Sequence, residues 1–214
     1  MLMLSGLCLC HSQGFINLDF EQAQIPINPG LGVSVSAAIP GWTAYVGGVP
    51  QTDIFYNTMS LGAAAIDLEP TNGIAPVPQI QGNYYVDIQG SAFTTPATAA
   101  IGQTGQVPLN ALYLLFWGYA GDPSVSAVSF AGDFLALTQI GSAVNYDIYA
   151  ADISSYAGQT GQLLFSGLAN GGIIVDNIQF SSTPIPEPSV LGLSALGGLF
   201  LACRRWKFFR YDKR

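Results

Sequence analysis

Short stretches that alternate apolar and polar residues follow one another along most of the chain. Residues 15–21 and 84–89 alternate most regularly, and a period of two is typical of strands that bury one face. Residues 111–119 are the most apolar and predict an interior strand. The same reasoning predicts further strands over residues 42–46, 54–58, 64–68, 97–103, 124–130, 134–138, 146–150, 162–167 and 173–180.

Turn-forming residues separate these stretches. Ala131-Gly132-Asp133 predicts a hairpin, and the Pro- and Gly-rich residues 25–39 predict a loop. The pentapeptide at 102–106, Gly-Gln-Thr-Gly-Gln, recurs at 158–162 and predicts two similar turns that lead into core strands. These short strands with frequent turns favour an all-β domain, a jelly-roll β-sandwich over residues 14–181.

Composition agrees with a folded β-domain. Half of the 214 residues are hydrophobic and 9% are charged, with 25 Gly and 13 Pro. A disordered chain would combine low hydrophobicity with high net charge. The three cysteines, Cys8, Cys10 and Cys203, lie near the two ends of the chain. We therefore expect no disulfide in the β-domain.

The basic residues are confined to the end of the chain. All six Lys and Arg residues lie between positions 204 and 214. The acidic residues of the body therefore have no Lys or Arg partner within residues 1–203. Such a body repels phosphate backbones, so we expect no nucleic-acid partner. Its carboxylates must be solvated, accept hydrogen bonds or bind cations.

The same composition limits catalysis. Residues 14–202 contain no His, Cys, Lys or Arg, which excludes His-based triads, Cys nucleophiles and Lys Schiff bases there. We assign no catalytic residue and predict that the protein is not an enzyme. The alternative left open is a glycoside hydrolase that uses a pair of carboxylates.

Both ends of the chain differ from the body. Residues 1–13 resemble a secretory signal that lacks the usual basic start, and residues 182–188 predict a short linker. An uncharged apolar run followed by basic residues predicts a transmembrane helix over 189–206 and a cytoplasmic tail over 207–214. A buried C-terminal helix with a solvated basic end is the alternative.

Three features stand in a specific order at the C-terminus: the motif Pro186-Glu187-Pro188, the apolar run, and Arg204-Arg205. This tail resembles the PEP-CTERM sorting signal of Gram-negative bacteria that make exopolysaccharide. The resemblance implies that the motif is recognised by an exosortase, a membrane transpeptidase-like enzyme, and that Arg204 and Arg205 stop insertion. The chain would be its substrate: exported, anchored in the cell envelope by the C-terminal helix, and then displayed or secreted after processing.

The body resembles the sandwich domains of PEP-CTERM proteins and galactose-binding-like carbohydrate modules. The residues that carry this resemblance lie at 17–21, 40–42, 82–84, 151–154 and 175–178. In such modules the first and last strands share a structural calcium ion. The resemblance implies Glu21 and Asp176 as ligands, with Asp19 as a substitute; the alternative is that these acids are solvated or cap turns.

Aromatic residues supply the remaining candidate chemistry. Some of the aromatic residues pack in the core, and those that are exposed could form a platform on which a sugar stacks. The candidates are Trp42, Tyr45, Phe55, Tyr56, Tyr84, Tyr85, Trp117 and Tyr119. The leading hypothesis is a structural or adhesive surface or extracellular-matrix protein. A carbohydrate-binding module, with extracellular polysaccharide as partner, is the alternative, and a carboxylate glycosidase is the second alternative.

Overall fold

Two β-sheets packed against each other form the domain. The computed structural model describes residues 14–58, 62–74, 80–91, 93, 97–120 and 123–185. The chain divides into two units, Met1–Thr183 and Pro184–Arg214. The predicted signal over 1–13, the sorting motif, the transmembrane helix over 189–206 and the basic tail lie outside the described residues. Within those residues, no helix has the length and apolar character needed to cross a membrane.

Fourteen strands and two short helices make up the described part of the chain. The helices are α1 (Val35–Ala38) and one 3-10 turn (Ser154–Tyr156). The strands are β1 (Gly32–Ser34), β2 (Thr43–Val46), β3 (Val49–Pro50), β4 (Asp53–Tyr56), β5 (Ala65–Pro70), β6 (Tyr84–Gln89), β7 (Ala99–Gln106), β8 (Tyr113–Ala120), β9 (Ser126–Phe130), β10 (Asp133–Phe134), β11 (Thr138–Ser142), β12 (Asp147–Asp152), β13 (Thr160–Gly167) and β14 (Gly172–Ser181).

The strands form one eight-stranded and one six-stranded sheet. The larger sheet has the order β1-β4-β5-β6-β14-β8-β12-β11, and the smaller has the order β10-β9-β13-β7-β2-β3. Neighbouring strands are antiparallel except for β4 and β5, which are parallel. The last strand, β14, pairs with β6 on one side and β8 on the other, so it lies in the interior of the larger sheet.

Aromatic rings connect the two sheets through the core. Phe165 on β13 of the smaller sheet contacts Phe116 on β8 of the larger sheet edge to face, with ring centroids 5.4 Å apart. Trp42 lies 6.2 Å from Phe165 and 5.7 Å from Phe20, measured between centroids. All four side chains are buried. Burial of such side chains supplies most of the stability of a domain without Lys or Arg ion pairs, at about 1.5–3 kcal/mol each.

Local alternation predicted the regular strands well. The prediction over 84–89 coincides with β6, and those over 42–46, 111–119, 162–167 and 173–180 correspond to β2, β8, β13 and β14 with small shifts at the ends. The hairpin is also confirmed, since Asp133 pairs with Phe130 across a turn in which Ala131 and Gly132 have φ of 52° and 94°. The all-β, two-sheet architecture is therefore as predicted.

The predicted strand over 15–21 is wrong. Asn17 and Phe20 have φ of 49° and 57°, in the left-handed region, and the segment forms turns. Asn17 holds this conformation with its own side chain, which donates to the carbonyl of Pro40 and accepts from the N–H of Gln22. Phe20 inserts its ring into the core. Tertiary packing thus overrides the alternating pattern.

The predicted loop over 25–39 is wrong in part, because β1 and α1 lie within it. The pentapeptide copies are not two similar turns. Residues 102–106 lie within β7, and Gly105 pairs directly with Gly161 on β13. A Cβ atom on Gly105 would lie 3.0 Å from the ring of Phe15, and one on Gly161 would lie 2.8 Å from the ring of Phe130. The glycines therefore leave room for aromatic rings.

Candidate functional site

Acidic side chains occupy the outer face of the larger sheet. Ile66 and Leu68 on β5 belong to the core. Successive side chains of a strand point to opposite faces, so Asp67 and Glu69 point outward. Strand β6 alternates in the same way and places Asp87 on the outer face, directly opposite Asp67.

A cleft of about 500 Å³ opens beside Asp87. Asp87 and Gln89 from β6, Ile174 from β14, Tyr119 from β8 and Asn170 from the loop before β14 line it. Tyr119 is 38% exposed, so part of its ring is available to a ligand. The cleft thus combines an aromatic ring, a carboxylate and two amides, a donor and acceptor set that suits a polyhydroxylated ligand.

Trp117 on β8 and Tyr146, the residue before β12, form a stacked pair of aromatic rings on this face. Trp117 is two residues before Tyr119 on β8, so both side chains point outward. The rings of Trp117 and Tyr146 stack with centroids 4.8 Å apart and an interplanar angle of 9°. This stack extends the aromatic surface beyond the edge of the cleft.

Asp67 and Glu69 are buried although they lie on this outer face, at 4% and 1% exposure. Thr58 donates its N–H and its hydroxyl to Oδ2 of Asp67. Oδ1 of Asp67 and Oε2 of Glu69 meet no N–H or O–H donor among the described residues. The two carboxyl groups act on each other's pKa. A proton on Glu69, the acid with the higher pKa, gives Asp67 the donor that its other neighbours do not supply.

Burial governs the protonation of this acidic group. Burial, with the nearby charges of Asp67 and Asp87, raises the pKa of Glu69 to about 8. Burial raises the pKa of Asp67 to about 6, while the hydrogen bonds from Thr58 oppose the shift. Burial also raises the pKa of Asp87 to about 6. Glu69 therefore keeps its proton at neutral pH, whereas Asp67 and Asp87 lose theirs near pH 6.

The residues predicted to bind calcium lie near one another. Asp176 is fully buried, and its carboxylate accepts from the N–H of Gln81 at 2.9 Å and of Asn177 at 2.6 Å. Burial, with smaller contributions from the charges of Glu21 and Asp19, raises the pKa of Asp176 to about 8. The structure thus brings Asp19 and Glu21 from the N-terminal turn to the last strand.

The oxygen atoms around Asp176 fit calcium in part. Within the described ranges, no group of three or more His, Cys, Asp or Glu residues is arranged to hold a metal ion. Glu21 accepts hydrogen bonds from Asn83 and Tyr84 with its two oxygens. However, Oε1 of Gln81 is buried without a hydrogen-bond partner in the described part of the chain, and amide and carboxylate oxygens are calcium ligands. Calcium binding stays a prediction.

The predicted aromatic platform divides between core and surface. Trp42 is buried and donates from Nε1 to the carbonyl of Asn17 at 3.0 Å. Tyr85 is also buried, whereas Tyr119 lines the cleft. Phe55 is exposed on β4, two strands away from β6 in the sheet order. Trp117 and Tyr119 are therefore the predicted aromatics that join one surface.

Several residues of the cleft were not singled out from the sequence. Asp87 and Gln89 belong to the alternating stretch over 84–89 that predicted β6, so their outward direction could have been inferred from its period. Asn170 carried no comparable signal. It lines the cleft with the other residues because β6, β14 and β8 are neighbours in the larger sheet.

Comparisons with known proteins give little. No family model matches the chain, and no curated protein sequence matches it. Among solved structures, the chain is similar to the enzymatically active domain of tailspike protein 4 from bacteriophage CBA120, with 16% identity and a TM-score of 0.38. The match covers 66% of this chain and 19% of the tailspike chain.

Proposed function

We propose that the β-domain is an adhesive, non-catalytic carbohydrate-binding module of jelly-roll type. The cleft on the outer face of the larger sheet carries this proposal. Tyr119 offers a ring on which a sugar ring can stack. The carboxylate of Asp87 and the amides of Gln89 and Asn170 can accept from and donate to hydroxyl groups.

Binding fits the cleft better than hydrolysis does. Glycoside hydrolases of the usual kind place two carboxyl groups on either side of the scissile bond, at least about 5 Å apart. Asp87 is the one carboxylate among the described residues that line the cleft. Asp67 and Glu69 lie nearby but are more than nine-tenths buried, so a sugar in the cleft does not reach them.

The C-terminal tail supports a proposal about location. Its resemblance to PEP-CTERM sorting signals suggests export, temporary anchoring by a helix over 189–206, and recognition of Pro186, Glu187 and Pro188 by an exosortase. The domain would then act at the cell surface or in the extracellular matrix, where polysaccharide is its partner. Mass spectrometry of the mature C-terminus tests this proposal: removal of Arg204 and Arg205 supports it, and an intact Arg214 in a cytoplasmic protein contradicts it.

A structural calcium ion beside Asp176 belongs to the same proposal. Asp176, Glu21 and the side-chain oxygen of Gln81 would hold it, and Asp19 would contribute charge. The ion would supply positive charge to a buried carboxyl group that has no basic side chain to pair with among residues 14–185. It would stabilise the N-terminal turn against β14 and would take no part in sugar binding.

Carbohydrate binding is tested with the purified full chain in a mild detergent and a panel of immobilised polysaccharides. We expect binding to at least one polysaccharide, and a loss of about tenfold or more in affinity for Tyr119→Ala, because stacking and buried area are removed. Phe134 is 78% exposed and lies outside the lining of this cleft, so Phe134→Ala is the matched control. Equal binding by both variants would contradict the proposal.

A further inference from the structure

The charged side chains on the described strands around the cleft are all acidic. Asp87 lies between Asp67 on β5 and Ile174 on β14 in the pairing of the sheet. The charge of Asp87 also acts on Glu69. Its outward neighbours on its own strand are Tyr85 and Gln89, which are uncharged near neutral pH. Residues 14–185 contain no Lys or Arg that could oppose this charge.

Two buried carboxyl groups lie on the strand beside Asp87, outside the lining of the cleft. Asp67 and Glu69 are each more than nine-tenths buried, and Oδ1 of Asp67 and Oε2 of Glu69 have no N–H or O–H donor within the described residues. A cation placed against Asp87 would lower the energy of the ionised forms of all three acids. The acidic group therefore favours a positively charged ligand in the cleft.

The cleft also contains an aromatic ring, which can bind an ammonium group together with a carboxylate. Tyr119 lines the cleft together with Asp87, and the face of an aromatic ring attracts a cation as well as the apolar face of a sugar. A hydroxyl group would make hydrogen bonds to Asp87 without relieving its charge. A sugar carboxylate would add a further negative charge and would be repelled.

We infer that the cleft selects glycans that carry free amino groups, with the ammonium group of a hexosamine bound to Asp87 and its ring against Tyr119. This inference rests on the proposed carbohydrate binding and names its ligand class. Neutral glycans of the same linkage bind more weakly, and glycans rich in uronic acid bind least.

The experiment compares four β-1,4-linked or uronic-acid oligosaccharides by isothermal titration calorimetry with the full chain in detergent at pH 6. The probes are the glucosamine hexamer, its N-acetylated counterpart, cellohexaose and an oligogalacturonate. We expect the glucosamine hexamer to bind at least about tenfold more tightly than either neutral hexamer. Its binding should also release protons, measured as a dependence of the apparent enthalpy on the buffer, because the cation lowers the pKa values of the acidic group.

Two variants assign the preference to Asp87. Asp87→Asn should bind all three hexamers with similar affinity, whereas Asp53→Asn, which removes an exposed carboxylate from β4 of the same sheet, should keep the preference. If Asp87→Asn does not fold, the wild-type affinity ratio and proton release still decide the question.

The outcomes separate this inference from the proposed function. Equal binding of neutral and amino hexamers, reduced by Tyr119→Ala, overturns the amino preference and leaves carbohydrate binding in place. A preference that persists in Asp87→Asn overturns the role of this cleft. If no hexamer and no polysaccharide binds, both the inference and the proposed function are overturned.

Discussion

Glu21 and Asn83, 62 residues apart in the chain, are joined by two hydrogen bonds, from the backbone N–H of Asn83 at 2.6 Å and from its side-chain Nδ2 at 2.7 Å. The same carboxylate accepts the N–H of Tyr84 at 3.0 Å. Glu21 therefore fixes the N-terminal turn to the start of β6. The backbone and amide donors of Asn83 and Tyr84 take the place of a Lys or Arg partner, which residues 1–203 do not supply.

Replacing Glu21 should destabilise the domain. Glu21→Ala leaves three donors without their acceptor, and hydrogen bonds to charged groups contribute about 1.5–3 kcal/mol. We expect the melting temperature to fall by roughly 4–8 °C. Differential scanning calorimetry measures this, with Asp53→Ala as the control at an exposed carboxylate. An unchanged melting temperature for Glu21→Ala would show that the turn is held by its apolar contacts alone.

Calcium should raise the stability of the protein. An ion that binds only the folded state at 100 times its Kd adds about 2.7 kcal/mol. Thermal melting in millimolar calcium and in chelator measures this effect. Asp176→Asn should remove most of it, whereas Asp152→Asn, a change at an exposed acid on β12, should not. Identical melting curves in calcium and in chelator would refute the calcium site.

Stability should decrease as the pH rises from 5 to 9 in the absence of calcium. The folded-state pKa values of Asp67, Glu69 and Asp176 are raised, to about 6, 8 and 8. A carboxyl group with a raised folded pKa contributes stability below its unfolded pKa and loses it as the pH passes the folded value. Melting temperature measured across this range should fall by several degrees, at about 2–4 °C for each kcal/mol.

Glu69→Gln provides the specific test of this pH dependence. The amide donates a hydrogen bond to Asp67 without a titrating proton, so the variant should lose less stability than the wild type between pH 7 and 9. Asp152→Asn is the matched control. The hydroxyl and N–H of Ser154 lower the pKa of Asp152, so this residue is ionised throughout the range. A wild-type curve that is flat or rises with pH would contradict the shared proton.

Gly118 should not tolerate a side chain. It lies on β8 between Trp117 and Tyr119, with φ of 147°, and a Cβ atom there would approach the carbonyl oxygen of Ile174 to 1.9 Å. Gly118→Ala must displace β8 from β14 and should destabilise the domain by more than about 4 kcal/mol. Gly32→Ala is the control, since its Cβ would make an ordinary contact at 3.7 Å. Circular dichroism melts that coincide for the two variants would disprove this prediction.

The sequence predicted features formed by neighbouring residues better than features formed by residues that are distant in the chain. Alternation located β6, and the Ala131-Gly132 turn located a hairpin, because both depend on neighbouring residues. The left-handed conformation of Phe20 depends on a core that distant residues form, so its strand prediction failed. The cleft depends on strand order. Asp87 and Tyr119 line the same cleft because a single strand, β14, lies between β6 and β8. Glu21 and Asp176 lie near opposite ends of the domain's sequence, and only the resemblance to a family linked them.

The interior position of β14 has a consequence for the order of events during synthesis of the chain. Until residues 172–181 have emerged, β6 and β8 expose unpaired edges toward each other, and the larger sheet exists only as two separate halves. Pairings between distant segments of a chain form late and slowly. The last strand therefore joins the two halves of the larger sheet only after the rest of the domain has been synthesised.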